Sequence, residues 1–393
     1  MSNVFTRSLL DGIYPGISAE YELEGSSFKY FKLKDNSSKN DVVIQSFKHF
    51  NNNDTQIIII DSIKSGIGRN SENDFYQIVM KPILNKLEIS HLYLKTDNSH
   101  SIADFAQKLD INSNYTISFL SGDTSISELI NNLPQRIHSP SRTIEIIPIP
   151  MGSANALANS LDLTDPIQAF DLFLQKSHQI SQFPLYKIIF PNGKETIFFI
   201  IFSMAFHANL LHLCTLDEHY SKLGVERFRL ASDEILKNYN LNLNLKLSIK
   251  DLSSPPTIQS NFAYFAILNT PKLEATYIPS PKSNPLNNEL HILGYSSALS
   301  EEELTTDILK GYNLKKNDDL NGNGILYHAV SSDFDIIVES ISNKDSRYMF
   351  DTCCDGILDN LNDMITDTHT KPIIKVKFLK SDDLSFNIKI IHK

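Results

Sequence analysis

One pattern constrains this chain more than any other: an apolar strand, a glycine- or serine-bearing turn and an amphipathic helix, met three times between residues 56 and 161. The first unit runs from a strand at Gln56–Ile60 through DSIKSGIGRN into a helix with apolar Phe75, Ile78, Val79 and Ile83. The second joins Tyr115–Leu120 through SGDTS to a helix carrying Ile126, Leu129, Ile130 and Leu133 at i, i+3, i+4 and i+7. The third is Ile144–Ile149, then PMGS, then ANALANSL. Strands alternating with helices predict a parallel sheet with helices packed on it. Such sheets bind ligands at the carboxyl ends of their strands, and unpaired N–H groups at helix N-termini attract phosphate. Three turns on one edge therefore predict a nucleotide cradle.

The texture changes near Leu185. KIIFPNGKETIFFII reads as a hairpin turning at Asn192 and Gly193. Further strands are expected around Asn261–Leu268, Leu290–Leu293, Ile325–Val330, Phe334–Val338 and Ile373–Phe378. One helix interrupts them, capped by Ser300, boxed by Glu303 and ended by Gly311. The Pro/Ser-rich pieces LSSPPTIQS and IPSPKSNPLNN read as surface loops. At 393 residues the chain suits two domains. The expected division is an N-terminal extension over 1–53, an α/β nucleotide-binding domain over 54–183 and a mainly antiparallel β-sandwich over 184–393.

A net charge of −10 argues against non-specific nucleic-acid binding, which needs Lys and Arg to replace counterions on phosphates. A lipid substrate and a transient membrane contact stay open, since these need only a local patch. Cys214, Cys353 and Cys354 form no zinc spacing, and two of them are adjacent, which suits a reducing compartment. His207, His212 and His219 match no metal motif, so no metal ligands are expected among them. The start of the chain lacks a signal-peptide pattern, and Thr196–Leu213, broken by Ser203, His207, Asn209 and His212, reads as buried strand rather than membrane span. A cytoplasmic protein visiting intracellular membranes peripherally is expected; the oligomeric state is not legible.

The chemistry concentrates in SGDTSISELINNL, Ser121 to Leu133. A carboxylate at a strand-to-helix turn repels bound phosphates unless it binds Mg²⁺ or takes a proton from an incoming hydroxyl. Alternatively Asp123 caps the helix that follows. The stretch resembles the lipid kinase signature GGDGTxxEVxNGL, with Gly122, Asp123, Glu128, Asn131 and Leu133 matching and Ser125 standing for Thr. PMGSANALA, Pro150 to Ala158, is similar to the PxGSGNALA of sphingosine kinases, keeping Gly152, Ser153 and Asn155. Ser153 can contact a phosphate or cap the helix; Asn155, read as helix-interior, has no obvious local task. SIKSGIGRN resembles NPxSGxGxA through Ser65, Gly66 and Gly68, and Thr96–Asp97 the Thr-Glu pair after the next strand. In the second domain, IFSMAFHANLLHLCTLDEHYSKLGVERF looks like SWGFxADVDxESEKYRxLGxxRF, matching at Ser203, Phe206, Ala208, Tyr220, Leu223, Gly224, Arg227 and Phe228. CCDGIL resembles a DGE turn at Asp355 and Gly356, although a plain hairpin turn explains that pair equally well.

The chain is thus similar to the diacylglycerol and sphingosine kinases, most like fungal sphingoid-base kinases. The resemblance implies an ATP- and Mg²⁺-dependent lipid kinase with Asp123 as general base or water-mediated metal holder. It further implies nucleotide contacts from Ser65, Gly66, Gly68, Thr96, Asp97, Ser121, Gly122, Thr124, Ser125, Gly152, Ser153, Asn155, Arg227, Asp355 and Gly356. Phe206 and Asn209 would meet the lipid. Four positions leave the pattern: Thr124 replaces a glycine, Asn209 and Leu211 replace acids aimed at the head of a lipid base, and Ile357 replaces a Glu. A lipid- or nucleotide-binding protein without efficient transfer is therefore an alternative, and a soluble NAD kinase a third. No GxxxxGK followed by Ser or Thr occurs, which argues against a P-loop kinase.

Overall fold

The computed structural model describes residues 3–10, 16–24, 27–36, 54–135, 141–175, 179–221, 223, 226–238, 240–249, 257–339, 347–365 and 370–393. Expectations at Gly224, the 252–256 part of the LSSPPTIQS loop and residues 51–53 of the N-terminal stretch lie outside them. The chain divides into one unit of residues 1–183 and 380–393, and a second of 184–379.

The first unit begins with an antiparallel three-stranded sheet, β1 (Asn3–Ser8), β2 (Ile17–Glu24) and β3 (Ser27–Asp35). In β2 alternate residues are buried, as expected for a sheet with one packed face. The aromatic side of this sheet continues into the helical layer, with the Phe31 ring of β3 tilted 4.9 Å from Phe75 and Phe75 6.2 Å from Phe170. The stretch expected to be an extension is therefore an integral layer of this unit.

The main sheet has six strands in the order β5, β4, β6, β7, the C-terminal strand and β8. Here β4 is Thr55–Asp61, β5 Leu92–Lys95, β6 Asn114–Ser121, β7 Thr143–Pro150 and β8 Gln179–Gln182. Ile57 to Ile60 of β4 are all buried, the signature of a parallel strand covered on both faces. The C-terminal strand, Asn387–His392, pairs parallel with β7 and antiparallel with β8. This corrects the expected 184–393 boundary: β7 presents an open ladder edge, and the end of the chain returns to fill it.

Helices α1 (Lys81–Lys86, preceded by a π-turn at Tyr76–Met80), α2 (Ser101–Ala106), α3 (Asp123–Asn131), α4 (Ala156–Ser160) and α5 (Pro166–Leu174) complete the unit. Register decides where the turns fall. Asp61 sits opposite Lys95 and Leu120, and Ser121 opposite Pro150, so β4 to β7 end at one level.

The second unit is the expected mainly antiparallel β domain, built as one continuous sheet of eleven strands. They are β9 (Tyr186–Ile189), β10 (Glu195–Phe198), β11 (Ile201–Ala205), β12 (Leu243–Ile249), β13 (Thr257–Leu268), β14 (Leu290–Ser296), β15 (Ile325–Val330), β16 (Phe334–Val338), β17 (Asp351–Cys354), β18 (Ile357–Asn360) and β19 (Ile373–Phe378). The path runs β10-β9-β19-β16-β12-β13-β11-β17-β18, with β14 branching from β13 and carrying β15. β9 and β10 form the expected hairpin, with Gly193 at φ +86°. Helix α6 (Phe206–Leu216) corrects the expected buried strand over Thr196–Leu213: the strand ends at Ala205, whose φ of +57° turns the chain into a helix. Short α7 (Glu218–Ser221) and α8 (Glu226–Lys237) follow. Helix α9 (Glu301–Leu309) has the Ser300–Glu303 capping box and runs on as a 3₁₀ turn to Tyr312, past the expected stop at Gly311. Among the described residues no helix is long and apolar enough to cross a membrane.

Candidate active site

Because β4, β6 and β7 end level, the three glycine turns meet. A Cβ on Gly152 would stand 2.4 Å from Gly122 Cα, so the second and third turns touch backbone to backbone. A Cβ on Gly66 would lie 2.8 Å from Met151 O, which brings the first turn against the third. Gly66 and Gly68 also take φ of +64° and +80°, left-handed values that favour glycine. Ser65 stitches the turns together, its Oγ accepting the Gly122 N–H at 3.1 Å.

Beneath the first turn lies a buried ion pair that motif reading missed. Arg69 Nε is 3.2 Å from Asp61 Oδ1, and Tyr93 Oη donates to Asp61 Oδ2 at 3.0 Å. Arg69 also donates to the carbonyls of Ser65 (3.1 Å) and Leu120 (2.9 Å), tying the first turn to the end of β6. Its side chain is 5% exposed, so it braces the cradle from below rather than reaching a ligand. Burial pushes the Asp61 carboxyl up and the Arg69 guanidinium down, each opposed by their mutual attraction. The available signal was an aspartate closing an all-isoleucine strand, with an arginine just after the glycine turn.

Asp123 is the first residue of α3, and Gly122 caps that helix in extended conformation. The Asp123 carboxylate reaches across to the next turn. Oδ2 accepts the Ala156 N–H at 2.7 Å and Oδ1 the Leu157 N–H at 3.0 Å. It therefore caps α4, not its own helix as the capping alternative had it. Burial raises its carboxyl above the ordinary range, and the two N–H bonds oppose the rise.

Asn155 is the residue before α4 rather than interior to it, at φ +53°. Its Oδ1 accepts the Gly152 N–H at 2.8 Å and its Nδ2 donates to Gly152 O at 3.0 Å, clasping the PMGSAN turn shut. This is the local task the sequence did not reveal. Ser153 is exposed, Ser125 buried, and Ser121 buried with its Oγ donating to Gly122 O. Thr124 lies in the first turn of α3 with an exposed side chain and no positive φ, a backbone that threonine adopts without strain. Thr96 is buried at the end of β5 and Asp97 exposed, its N–H bound to Ser101 Oγ. Glu128 accepts the Ala103 N–H at 3.1 Å, linking α3 to α2.

The remaining expected site residues belong to the second unit. Arg227, on α8, packs its guanidinium 4.9 Å from the Phe228 ring, and its buried Nε has no hydrogen-bond partner among the described residues. Asp355 and Gly356 form the two-residue turn between β17 and β18, both at positive φ. The Asp355 carboxylate accepts the N–H groups of Phe199 (2.7 Å), Ile200 (3.1 Å) and Ile201 (2.8 Å), a structural task that explains its burial. Phe206 is buried, 6.3 Å from the Tyr264 ring. Asn209 donates to Asp351 Oδ2 at 3.1 Å, within a buried cluster that includes Asn360 and His212. Ser203 Oγ and His207 Nδ1 are 2.7 Å apart, and burial holds the His207 imidazole down to about 4.

Comparison with known proteins fits this geometry. Residues 57–183 match the diacylglycerol kinase catalytic domain. The curated proteins contain no match. Among solved structures, one described as a diacylglycerol kinase from Bacillus anthracis str. Sterne aligns at 13% identity and TM-score 0.54, covering 86% of this chain and 97% of that one. A second from the same organism, provisionally assigned to the same activity, aligns at 13% identity and TM-score 0.58 with the same coverage. At such identities the likeness is one of fold. Residues 57–183 thus resemble a diacylglycerol kinase catalytic domain, within a chain that has the fold of these bacterial structures.

Proposed function

We propose that the chain is an ATP-dependent lipid kinase, transferring a γ-phosphoryl group to a hydroxyl of a sphingoid long-chain base or a diacylglycerol-like lipid. The observation that supports this best is the meeting of three glycine turns at the level ends of β4, β6 and β7, inside the segment that matches the catalytic domain. The turn residues Ser65, Gly66, Gly68, Thr96, Asp97, Ser121, Gly122, Thr124, Ser125, Gly152, Ser153 and Asn155 would shape the nucleotide site. Arg227, with its unpartnered Nε, would offer charge to phosphate.

Phosphoryl transfer asks mainly for positioning and charge neutralisation. The lipid oxygen attacks the γ-phosphorus, the bond to the β-phosphate oxygen breaks, and the hydroxyl proton goes to the Asp123 carboxylate. Burial that raises this carboxyl brings it nearer to the working range of a general base, and the N–H bonds from α4 hold its orientation. Among the described residues no three His, Cys, Asp or Glu gather as a metal site. Mg²⁺ would come with the nucleotide and neutralise its phosphates, or be held through water by Asp123.

A second reading, a lipid- or nucleotide-binding protein without transfer, is favoured by one observation: both Asp123 oxygens already accept backbone N–H groups. One experiment separates the two. Purified protein is incubated with labelled ATP, Mg²⁺ and a panel of long-chain bases and diacylglycerols, beside Asp123→Asn. Labelled lipid that falls about 10²- to 10⁴-fold in the variant supports the kinase. ATP binding without any lipid product supports the second reading, and label on NAD points to an NAD kinase.

A further inference from the structure

The N-terminal three-stranded sheet has one edge with no task in the reaction above. Its β3 edge is met by Glu72, whose carbonyl accepts the Phe31 N–H at 2.8 Å. At the β1 edge no backbone bond reaches the outer side among the described residues, and every residue of NVFTRS is exposed. Val4 is 58% exposed and Phe5 40%. Edge strands of natural proteins usually carry lysine, proline or a bulge that keeps other strands away. β1 has none of these, and its one charged side chain, Arg7, is held by Asp165 at 2.5 Å. The charges of this sheet sit on its other strands, as Glu20, Glu22 and Glu24 on β2 and Lys29, Lys32, Lys34 and Asp35 on β3.

Ladder phase tells which backbone groups are free. The Leu9 N–H donates to Ile17 O at 3.0 Å, and the pairing that sets Asn3 opposite Leu23 and Ser8 opposite Ser18 runs on into that pair. Alternate residues of an antiparallel ladder turn their backbone groups to the same side. Asn3, Phe5 and Arg7 therefore bond to β2, while Val4, Thr6 and Ser8 point N–H and C=O toward the open edge. A partner strand must match that phase and keep apolar side chains on the apolar side. A two-fold rotation of β1 onto itself does both when Phe5 sits on the axis. Val4 of each copy then exchanges N–H and C=O bonds with Thr6 of the other. Phe5 meets Phe5 as a non-hydrogen-bonded pair, the closer of the two kinds. The Phe5 ring stacks on Tyr21 at 5.2 Å, and Tyr21 packs 5.5 Å from Phe28, so the aromatic row of one copy would run into that of the other. Arg7 falls opposite Asn3, and no like charges meet.

We infer that β1 pairs antiparallel with β1 of a second copy of this chain, about a two-fold axis at Phe5, joining the two N-terminal sheets into one. Closed two-fold pairing is also the commonest form of self-association. The inference is independent of the lipid kinase reading.

Sedimentation of the full chain from about 1 to 200 µM should show a monomer–dimer equilibrium in the micromolar range, as suits a contact of one short strand. Thr6→Pro removes an N–H that its own sheet does not use. It should keep the wild-type Tm within about 2 °C and raise the dimer Kd about 30-fold or more, the loss of that bond on each copy. Val4→Lys, at an exposed position opposite Glu22, should weaken the dimer likewise without unfolding. Phe5→Cys should give a disulfide-linked dimer under air oxidation, because Cα atoms of such a pair lie about 4.5 Å apart, whereas Thr6→Cys, offset between the two strands, should not. The native cysteines are buried and add little background. A chain still monomeric at about 200 µM overturns the inference and leaves the edge to a strand of another protein. So does a dimer that neither Thr6→Pro nor Val4→Lys weakens, and so does cross-linking of Thr6→Cys in preference to Phe5→Cys.

Discussion

Gly152 and Gly122 look alike in the sequence, each a glycine at a strand-to-helix turn, yet the structure predicts opposite tolerance of a methyl group. In Gly152→Ala the Cβ would lie 2.4 Å from Gly122 Cα and 2.7 Å from its N. Ordinary carbon contact begins near 3.5 Å, so the two turns must part by about 1 Å, and neither atom belongs to a side chain that could rotate away. Overpacking of this kind costs about 3 kcal/mol. Displacing the Gly122 N–H from Ser65 Oγ adds about 1 kcal/mol. In Gly122→Ala the nearest atoms are Gly152 Cα at 3.5 Å and Ser65 Oγ at 3.9 Å. The backbone there, at φ −91°, suits any residue, leaving only a capping loss of about 1 kcal/mol. For a unit of roughly 200 residues each kcal/mol moves Tm by about 2–4 °C. Gly152→Ala should therefore lower the Tm of the first unit by about 8–16 °C, and Gly122→Ala by no more than about 4 °C. The chain has no tryptophan, so far-UV circular dichroism and calorimetry are the suitable probes. The same 1 Å displacement should cut kcat/KM of Gly152→Ala about 100-fold. Equal melting of the two variants, or a Gly152→Ala protein that behaves as wild type, would refute the contact between the turns.

Four further outcomes follow from the same geometry. Arg69→Met strands the buried Asp61 carboxylate and should cost about 3–5 kcal/mol in denaturant unfolding, most of it recovered when Asp61→Leu is added; a double variant as unstable as the single would disprove the pairing. Asn155→Ala loses both the clasp on Gly152 and a residue tolerant of φ +53°, so it should destabilise by about 2 kcal/mol, while Asn155→Gly, which keeps the backbone freedom, should lose about half of that. Asp355→Ala leaves three buried N–H groups without an acceptor and should destabilise the second unit by about 3 kcal/mol or more, read as a shifted midpoint at unchanged m-value. Burial holds His207 at about 4, below its unfolded value of 6.5, so the unfolded chain binds the proton first and stability is lost as pH falls between these values. The slope is up to about 1.4 kcal/mol per pH unit, and His207→Gln should flatten it; an unchanged acid profile would show that the imidazole is not held neutral.

Pattern reading reached the strands and turns that depend on local periodicity. The buried run Ile57–Ile60, the Asn192–Gly193 hairpin and the Ser300–Glu303 box all appear where side-chain period and cap chemistry point. It missed what depends on partners distant in sequence. Residues 3–35 read as an extension because their aromatic face meets its complement in the distant Phe75, itself packed on Phe170. The C-terminal strand Asn387–His392 reads like its β-rich neighbours, and only the open edge of β7 assigns it to the first sheet. Phe206–Leu216 was read as strand since an almost wholly apolar stretch has no informative period.

For the site, the sequence by itself determined that three glycine turns follow three parallel strands and that an aspartate stands on the second. Those are properties of short segments, set by residue type and spacing. Tertiary structure alone decided what the turns do to one another: register aligns the ends of β4, β6 and β7, backbone meets backbone at Gly122 and Gly152, and Asp123 binds the N–H groups of α4 instead of its own helix. A carboxylate shows its residue type in the sequence, but its partners, its burial and therefore its chemistry exist only once distant segments have packed.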